Sequence, residues 1–407
     1  MGARIVGRRI LEGELVLKSP LMIGMGTEDL SHVVDMVVLK DRDGVPFVPA
    51  TSLIGVLRSA MGKDFKDFFG TATKEGKQSC LKADDITLSG ADLIYRDGNV
   101  LDEVRSVSLN RYDYELVARG AKGSIRLELI EREGVALPYA EFTERLAAVL
   151  TAGISLGAKA TSGLGRVMVE NLTIDRYDYS KKADVRRYLL GEKKQVVFSS
   201  AEQYCNPKDL VIEGTFALKS GLMVGDSDGY AMKAEGEHYL IPGSSIKGVL
   251  RHQLGFLLHA LNLDKAIETR LFGSSEAKGR LYVDDVRIRK TACTSKEVTR
   301  VRLDRFTGGA IGHALITNKP IFQKGDEVFK LKLVLKEARD EEIGLMLLLL
   351  RDLWQGYLAL GGDKAIGRGI VAGKSAVLKF SGKEWHFAAK GLVEGESLAK
   401  YVEAAVS

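Results

Sequence analysis

Six segments of this chain occur twice, in the same order. Leu17 to Gly24 (LKSPLMIG) returns as Leu218 to Gly225 (LKSGLMVG), and Pro49 to Arg58 (PATSLIGVLR) as Pro242 to Arg251 (PGSSIKGVLR). Phe69-Gly70 answers Phe272-Gly273, Asp84-Asp85 answers Asp284-Asp285, and Leu109 to Tyr112 (LNRY) answers Leu303 to Phe306 (LDRF). Ser162 to Val167 (SGLGRV) then matches Ile366 to Val371 (IGRGIV). All six are displaced by 193 to 204 positions, so the chain reads as two copies of one domain.

The predicted organisation is a first domain over 1–175, a connecting segment over 176–208, a second domain over 209–380 and a C-terminal tail over 381–407. The connecting segment carries Lys181, Lys182, Arg186, Arg187, Lys193 and Lys194 and fits either a linker or a solvated helix. Length agrees, since 407 residues is well beyond the roughly 150 usual for one domain. With 45% hydrophobic and 28% charged residues, a disordered or collagen-like chain is excluded.

Other classes fall away on specific residues. Cys80, Cys205 and Cys293 are odd in number and far apart, so neither a disulfide framework nor a zinc site is expected. The most apolar run, Ile343 to Leu350, is closed by Arg351 and Asp352, far short of the roughly 20 residues of a membrane span. Met1 to Ile10 holds Arg4, Arg8 and Arg9 but no apolar leader core, so a cytoplasmic protein is expected.

Each copy parses alike. An alternating strand (Ile10 to Leu17; Leu210 to Leu218) is followed by a Gly- and Asp-containing loop. Pro and Ser or Thr then open an apolar-periodic helix. A strand follows the paired aspartates (Ile86 to Tyr95; Val286 to Arg289), and a long basic excursion follows that. A second helix (about 140–155; about 341–358) leads through a Gly-rich turn to a last strand (Val167 to Leu172; Ile370 to Leu378). The expected fold class is α+β, two tandem ferredoxin-like βαββαβ domains, the topology of single-strand RNA readers of the RRM type.

Four groups of residues could carry chemistry. Pro242-Gly243 is a tight helix entry that Ser244 or Ser245 could cap, leaving first-turn N–H groups to face an anion. Lys247 and Arg251, four residues apart, share one helical face there. A capped helix with two solvated cations is the bland alternative. The Gly-rich turns (Gly157, Lys159, Gly163, Gly165, Arg166; Gly361, Gly362, Lys364, Gly367, Arg368, Gly369) combine permissive backbone with cations. They follow helices and precede strands, the reverse of a dinucleotide fingerprint, which disfavours NAD or ATP.

The third group is the excursion. Arg287 to Arg305 holds seven basic residues (including Arg300, Arg302 and Arg305) and two acids, an excess equal to the +5 of the whole chain. So concentrated an excess is a polyanion footprint, and Tyr112, Tyr114 and Phe306 among such charges could stack on bases. Arg105, Arg111, Arg119, Lys122 and Arg126 form a sparser version in the first copy. The fourth group is the acids Glu28, Asp29 and Asp35 of the first loop, with Asp226 and Asp228 in the second copy. An acid beside a basic RNA groove repels the ligand unless it binds a metal or moves a proton. Asp35 and Asp228 each lie 14 residues before the helix-opening proline. No nucleophile–histidine–acid set stands out, although His32 lies near Asp35.

Together, PGSSIKGVLR, the Phe272-Gly273-Ser274 turn, Arg302 to Ala310 (RLDRFTGGA) and the last Gly-rich loop resemble the RAMP superfamily of CRISPR-associated proteins. The likeness covers about 5–175 and 209–380 and is strongest to the backbone subunit of type III effector complexes. That resemblance implies binding of guide CRISPR RNA, with thumb hairpins wedging the guide–target duplex. It also implies other subunits of the complex as partners, and an endoribonuclease that cuts target RNA with Mg2+ or another divalent cation. Asp35, in DMVVLKD (Asp35 to Asp41), would be the catalytic and metal-binding acid, with Asp228 its counterpart in a shortened loop. Arg111 and Arg305 would open the two thumbs. Ser52, Arg58, Ser244, Ser245, Lys247 and Arg251 would hold the guide backbone, supported by Lys122, Lys159, Arg166, Arg302, Lys364 and Arg368. Ala50 and Ile54 stand where the second copy has Gly243 and Lys247, so a weaker phosphate grip is expected in the first. The alternatives are a non-catalytic RNA-binding subunit and a guide-processing endoribonuclease. The latter calls for a catalytic histidine near the first helix and a shorter chain.

Overall fold

Alternation of apolar residues builds the two central strands of the molecule. Leu11, Leu15 and Leu17 on one, and Leu210, Ile212 and Phe216 on the other, are buried. A computed structural model describes residues 4–25, 34–71, 76–101, 108–194, 196–198, 206–226 and 228–406. Glu28, Asp29, His32, Arg105 and Cys205 lie outside the described residues. The chain forms two compact units with the main boundary between Cys205 and Asn206, two short stretches before it, Val100–Leu109 and Thr161–Gly163, being grouped with the second unit.

In the first unit, β1 (Ile5–Leu17), α1 (Ala50–Met61), β2 (Leu81–Ala83), a hairpin of β3 (Leu93–Leu101) and β4 (Ser108–Val117), β5 (Lys122–Arg132), α2 (Tyr139–Ala152) and β6 (Arg166–Asp178) follow in order. The main sheet runs β6-β1-β5-β2, antiparallel throughout. This spatial order of last, first, third and second strand fits a ferredoxin-like fold. Both helices lie against the sheet through apolar positions three to four apart: Leu53, Leu57 and Met61 on α1, Phe142, Leu146 and Leu150 on α2. Phe68 stacks on Phe142 with centroids 4.0 Å apart at the centre of this core.

The connecting segment is structured. Here α3 (Lys182–Leu189) buries none of its residues but sets Tyr188 against Tyr177 at 5.3 Å, and β7 (Val196–Val197) extends the sheet beside β6. It is the solvated helix, with a short strand added.

The second unit repeats the plan with β8 (Leu210–Leu218), α4 (Gly243–Ala260), α5 (Ala266–Phe272), β9 (Leu281–Val283), β10 (Val286–Arg289), a hairpin of β11 (Val298–Leu303) and β12 (Ala310–Asn318), β13 (Phe329–Leu335), α6 (Asp340–Trp354) and β14 (Val371–Phe380). Its main sheet runs β14-β8-β13-β9, again antiparallel.

Two expectations change. The second strand of each sheet precedes the paired aspartates instead of following them. Val286–Arg289 pairs with His238–Ile241 in a separate small sheet, and the expected strand Ile86 to Tyr95 breaks after Thr87 before the hairpin begins. The segment 381–407 is also no loose tail. It adds β15 (Lys383–Ala388) and β16 (Gly391–Glu394) to the sheet beyond β14, then packs α7 (Ala399–Val406) on α6. Trp385 is fully buried there, and its indole N–H donates to Glu396 O at 2.7 Å. The approach of α7 is so close that a Cβ on Gly344 would strike the Tyr401 carbonyl.

Candidate nucleic-acid interface

The first helix of each unit starts on a carboxylate borrowed from the aspartate pair. Ala50 N donates to Asp85 Oδ1 at 2.7 Å, and Gly243 N donates to Asp285 Oδ1 at 2.8 Å. Neither helix is capped by a serine or threonine side chain. Ser52 N and Ser245 N turn back to the carbonyls of Pro49 and Pro242, and Ser244 is exposed. The expected serine cap and open first-turn N–H cluster therefore give way to an acid-capped terminus, which is less receptive to phosphate.

The cations of these helices differ sharply. Arg58 donates to the carbonyls of Phe69 and Gly70, which ties α1 to the turn beyond it. Arg251 Nε donates to Glu268 Oε1 at 2.7 Å. Lys247 is only 8% exposed, and no carboxylate pairs with it among the described residues. Burial, with Arg251 and Lys278 nearby, pushes its ammonium down to about 8.

The Gly-rich turns clamp the hairpins. Gly157 and Gly361 have φ of 76° and 78°, and a Cβ on either would collide with the carbonyl of Met22 or Met223. Two residues later, Lys159 (φ 54°) and Asp363 (φ 60°) both turn left-handed. Lys159 Nζ donates to Tyr112 Oη at 2.6 Å and sits 4.3 and 4.8 Å from the Tyr112 and Tyr114 ring centroids. Asp363 instead accepts from Arg300 at 2.6 Å, Arg368 at 2.7 Å and Asn318 at 3.0 Å. Partial burial works to raise the Asp363 carboxyl, but the Arg300 hydrogen bond and charge, with Asn318 and Arg368, hold it below its ordinary value.

Several expected RNA contacts are thus committed inside the protein. Arg368 is 7% exposed and also donates to Asn318 Oδ1 at 2.8 Å, so it braces the hairpin and does not face solvent. Lys159 is held by tyrosines. Lys122 pairs with Glu14 at 2.7 Å, a hydrogen bond that raises its pKa. Arg166 is half-buried, and its backbone N–H donates to Ser19 Oγ at 2.9 Å, a bond that does not commit its guanidinium, which stays a candidate RNA contact. Lys364 stays exposed.

The hairpin of the second unit ends in an ordered, protruding tip. Asp304 Oδ1 accepts from Phe306 N at 3.0 Å, Thr307 N at 2.8 Å and Thr307 Oγ1 at 3.1 Å, and these bonds lower its pKa. The turn presents Phe306 at 92% exposure, directly after Arg305 and four positions beyond an exposed Arg302. Arg111 is elsewhere: it sits on return strand β4, 3.4 Å from Asp97. The match of Leu109–Tyr112 with Leu303–Phe306 is therefore not a structural equivalence, and Arg111 does not open a thumb.

A model of the RAMP superfamily matches residues 14–168 and 215–372, most of the chain. The chain belongs to the RAMP superfamily. Each matched region runs from the first strand of a unit to its last, and the 381–407 extension lies outside both. No match was found among curated proteins. Membership in this superfamily points to a CRISPR-associated, RNA-binding subunit. Among the described residues, no helix is long and apolar enough to cross a membrane.

Within this RAMP chain the candidate acid lies at a hairpin base. Asp35 is exposed, and its Oδ2 accepts from Asp113 N at 2.9 Å. Met36 then runs parallel to Tyr114 along β4. Backbone bonds set the register between units: Leu39 N to Ile23 O matches Lys233 N to Val224 O, and Glu115 N to Met36 O matches Lys319 N to Tyr230 O. The counterpart of Asp35 is thus Gly229, and the equal spacing of Asp228 from its proline is displaced by one residue. Asp228 is exposed at the turn, while Asp226 Oδ1 accepts from Tyr230 N and Ala231 N and shapes that turn. Glu115, which sequence reading passed over, is buried against this loop. Its only prior signal was an acid amid apolar strand residues.

Proposed function

We propose that this chain is a duplicated backbone subunit of a type III CRISPR effector complex that binds guide RNA and cleaves complementary target RNA through Asp35. What carries the RNA-binding half is Lys247, a buried ammonium with cations for neighbours and, among the described residues, no carboxylate paired with it. Such a charge is costly unless an anion completes it, and a guide phosphate is the anion this superfamily meets. Ser244, Ser245, Arg251 and Lys364 would extend that grip, and Arg302, Arg305 and Phe306 would meet the duplex at the protruding tip.

Cleavage on this reading is in-line attack by the 2′-hydroxyl next to the scissile phosphate. Asp35 accepts the hydroxyl proton, the 5′-oxygen departs and is protonated from water, and the cut leaves a 2′,3′-cyclic phosphate. Among the described residues, no three acidic, histidine or cysteine side chains converge to cage a metal. A divalent cation would therefore be held by the Asp35 carboxylate jointly with RNA phosphate oxygens, where it would neutralise developing charge. The same sparse donor set favours the second reading, a non-catalytic RNA-binding subunit. Asp35→Ala in the assembled complex separates the two: the first reading requires loss of one cut with guide binding intact, and survival of every cut supports the second.

A further inference from the structure

A carboxylate that belongs neither to the guide grip nor to the proposed reaction organises the Asp35 loop. Glu115 lies on β4, two residues beyond Asp113, and is 3% exposed. One oxygen, Oε2, accepts from Val38 N at 3.0 Å. The other, Oε1, accepts from Lys40 Nζ at 3.1 Å and from Tyr95 Oη at 3.3 Å. Its own N–H donates to Met36 O at 2.9 Å. One buried residue thus holds Met36, Val38 and Lys40, three alternate positions directly after Asp35, and ties them to both strands of the hairpin.

We infer that Glu115 is the positioning residue for the Asp35 loop, an inference that rests on the reading of Asp35 given above. A buried carboxylate is retained only where its hydrogen bonds are met, and here two of the three its oxygens accept come from this loop. Unit two supplies an internal comparison. The strand position equivalent to Glu115 is Lys319, exposed, and the loop position equivalent to Asp35 is Gly229. The acid and its anchor occur together in one unit and are missing together from the other. Two backbone bonds that seat the loop are shared by both units, so the side-chain anchor is what sets apart the unit that carries the acid.

The test uses the assembled ribonucleoprotein with saturating guide, and single-turnover cleavage over a range of target concentrations. Glu115→Gln keeps the side-chain shape but cannot satisfy both Val38 N and the Lys40 ammonium. It should slow the Asp35-dependent cut by about 10- to 100-fold, the scale of a misplaced reacting group. The half-saturating target concentration should stay within about twofold, because target binding is not the step affected. Should Glu115→Gln not assemble, Lys40→Gln, which removes one partner from the half-exposed side, must show the same split. A wild-type rate, or a change confined to half-saturation, overturns the role of Glu115 while Asp35→Ala still abolishes the cut. If Asp35→Ala leaves the cut in place, the reading of Asp35 itself fails and the inference falls with it.

Discussion

Lys159 and Asp363 occupy the same left-handed backbone position in the two units with opposite charge, and each fastens its hairpin to the Gly-rich turn. One does so through a cation over two tyrosine rings, the other through a carboxylate between two arginines. The position is kept because the hairpin must be aimed, and either chemistry does it.

Removing the carboxylate strands the arginines. Asp363→Asn retains a side chain that tolerates positive φ, so the change isolates charge from backbone strain. It should destabilise the protein by about 3 kcal/mol, the low end for breaking a buried pair since Asp363 keeps some exposure. The sign with pH follows from its lowered pKa. Stability from Asp363 is present above the unfolded carboxylate value and is lost as pH falls through the folded one. Urea melts should show that acid limb in the wild type and a smaller one in the variant; equal limbs would refute the assignment.

The extension beyond the superfamily match is part of the second core. Trp385→Ala removes a fully buried indole and its hydrogen bond to Glu396 O. A loss of about 4 kcal/mol is expected, as for large aromatic truncations. Deletion of 381–407 should yield protein that does not fold cooperatively. A truncated chain with unchanged melting would show that the segment is dispensable.

The parts legible from sequence are those where one backbone event demands one residue type. The LKS-to-Gly segments mark the exit of a central strand into a tight turn, and the PGSS and PATS segments mark a helix entry, so both copies retain them. Burial of charge was not legible. Arg368 in its Gly-rich turn and Arg302 in its basic excursion both read as RNA contacts, yet one is sealed against Asn318 and Asp363 and the other faces solvent. Glu115, and the capping role of Asp285 within the repeated aspartate pair, escaped the sequence because each works on a segment distant in the chain. The four-residue match at Leu109 misled, because a short polar motif can recur on a strand in one unit and on a turn in the other. Trp385 was passed over among the charges that surround it.

The hairpin tip should contribute to binding and not to stability. Phe306→Ala should leave the melting curve within about 0.5 kcal/mol, as expected for so exposed a side chain. Arg302→Ala and Arg305→Ala should each flatten the dependence of log affinity on log salt by about one unit for duplexed RNA. An unchanged salt slope in both would remove the tip from the interface.

If a guide phosphate completes Lys247, RNA binding should depend on pH with a definite sign. Its free-state value of about 8 rises when a phosphate joins it. The favourable contribution is therefore complete below pH 8 and fades as pH climbs through that value toward the value in the complex. Without RNA the sign reverses: the unfolded chain binds the proton more readily, so the free protein gains stability from about pH 8 to the ordinary lysine range. Lys247→Met should weaken guide binding by about tenfold near pH 7 and bind with no such slope up to pH 9.5. Parallel curves for the two proteins would exclude a phosphate at this site.

The two loops should differ in what their acids do. Asp35 is fixed at a hairpin base by the Asp113 N–H, and Glu115 holds the residues that follow it. Asp228 stands one position out of register with Asp35, on a turn that Asp226 shapes. In the assembled complex, Asp35→Ala should abolish one cut with its 2′,3′-cyclic phosphate end and leave guide affinity within about twofold, whereas Asp228→Ala should leave the cutting pattern intact. Mapping of product ends by RNA sequencing reads both at once. A cut lost in Asp228→Ala alone would reverse the assignment and make the second unit the cutting one.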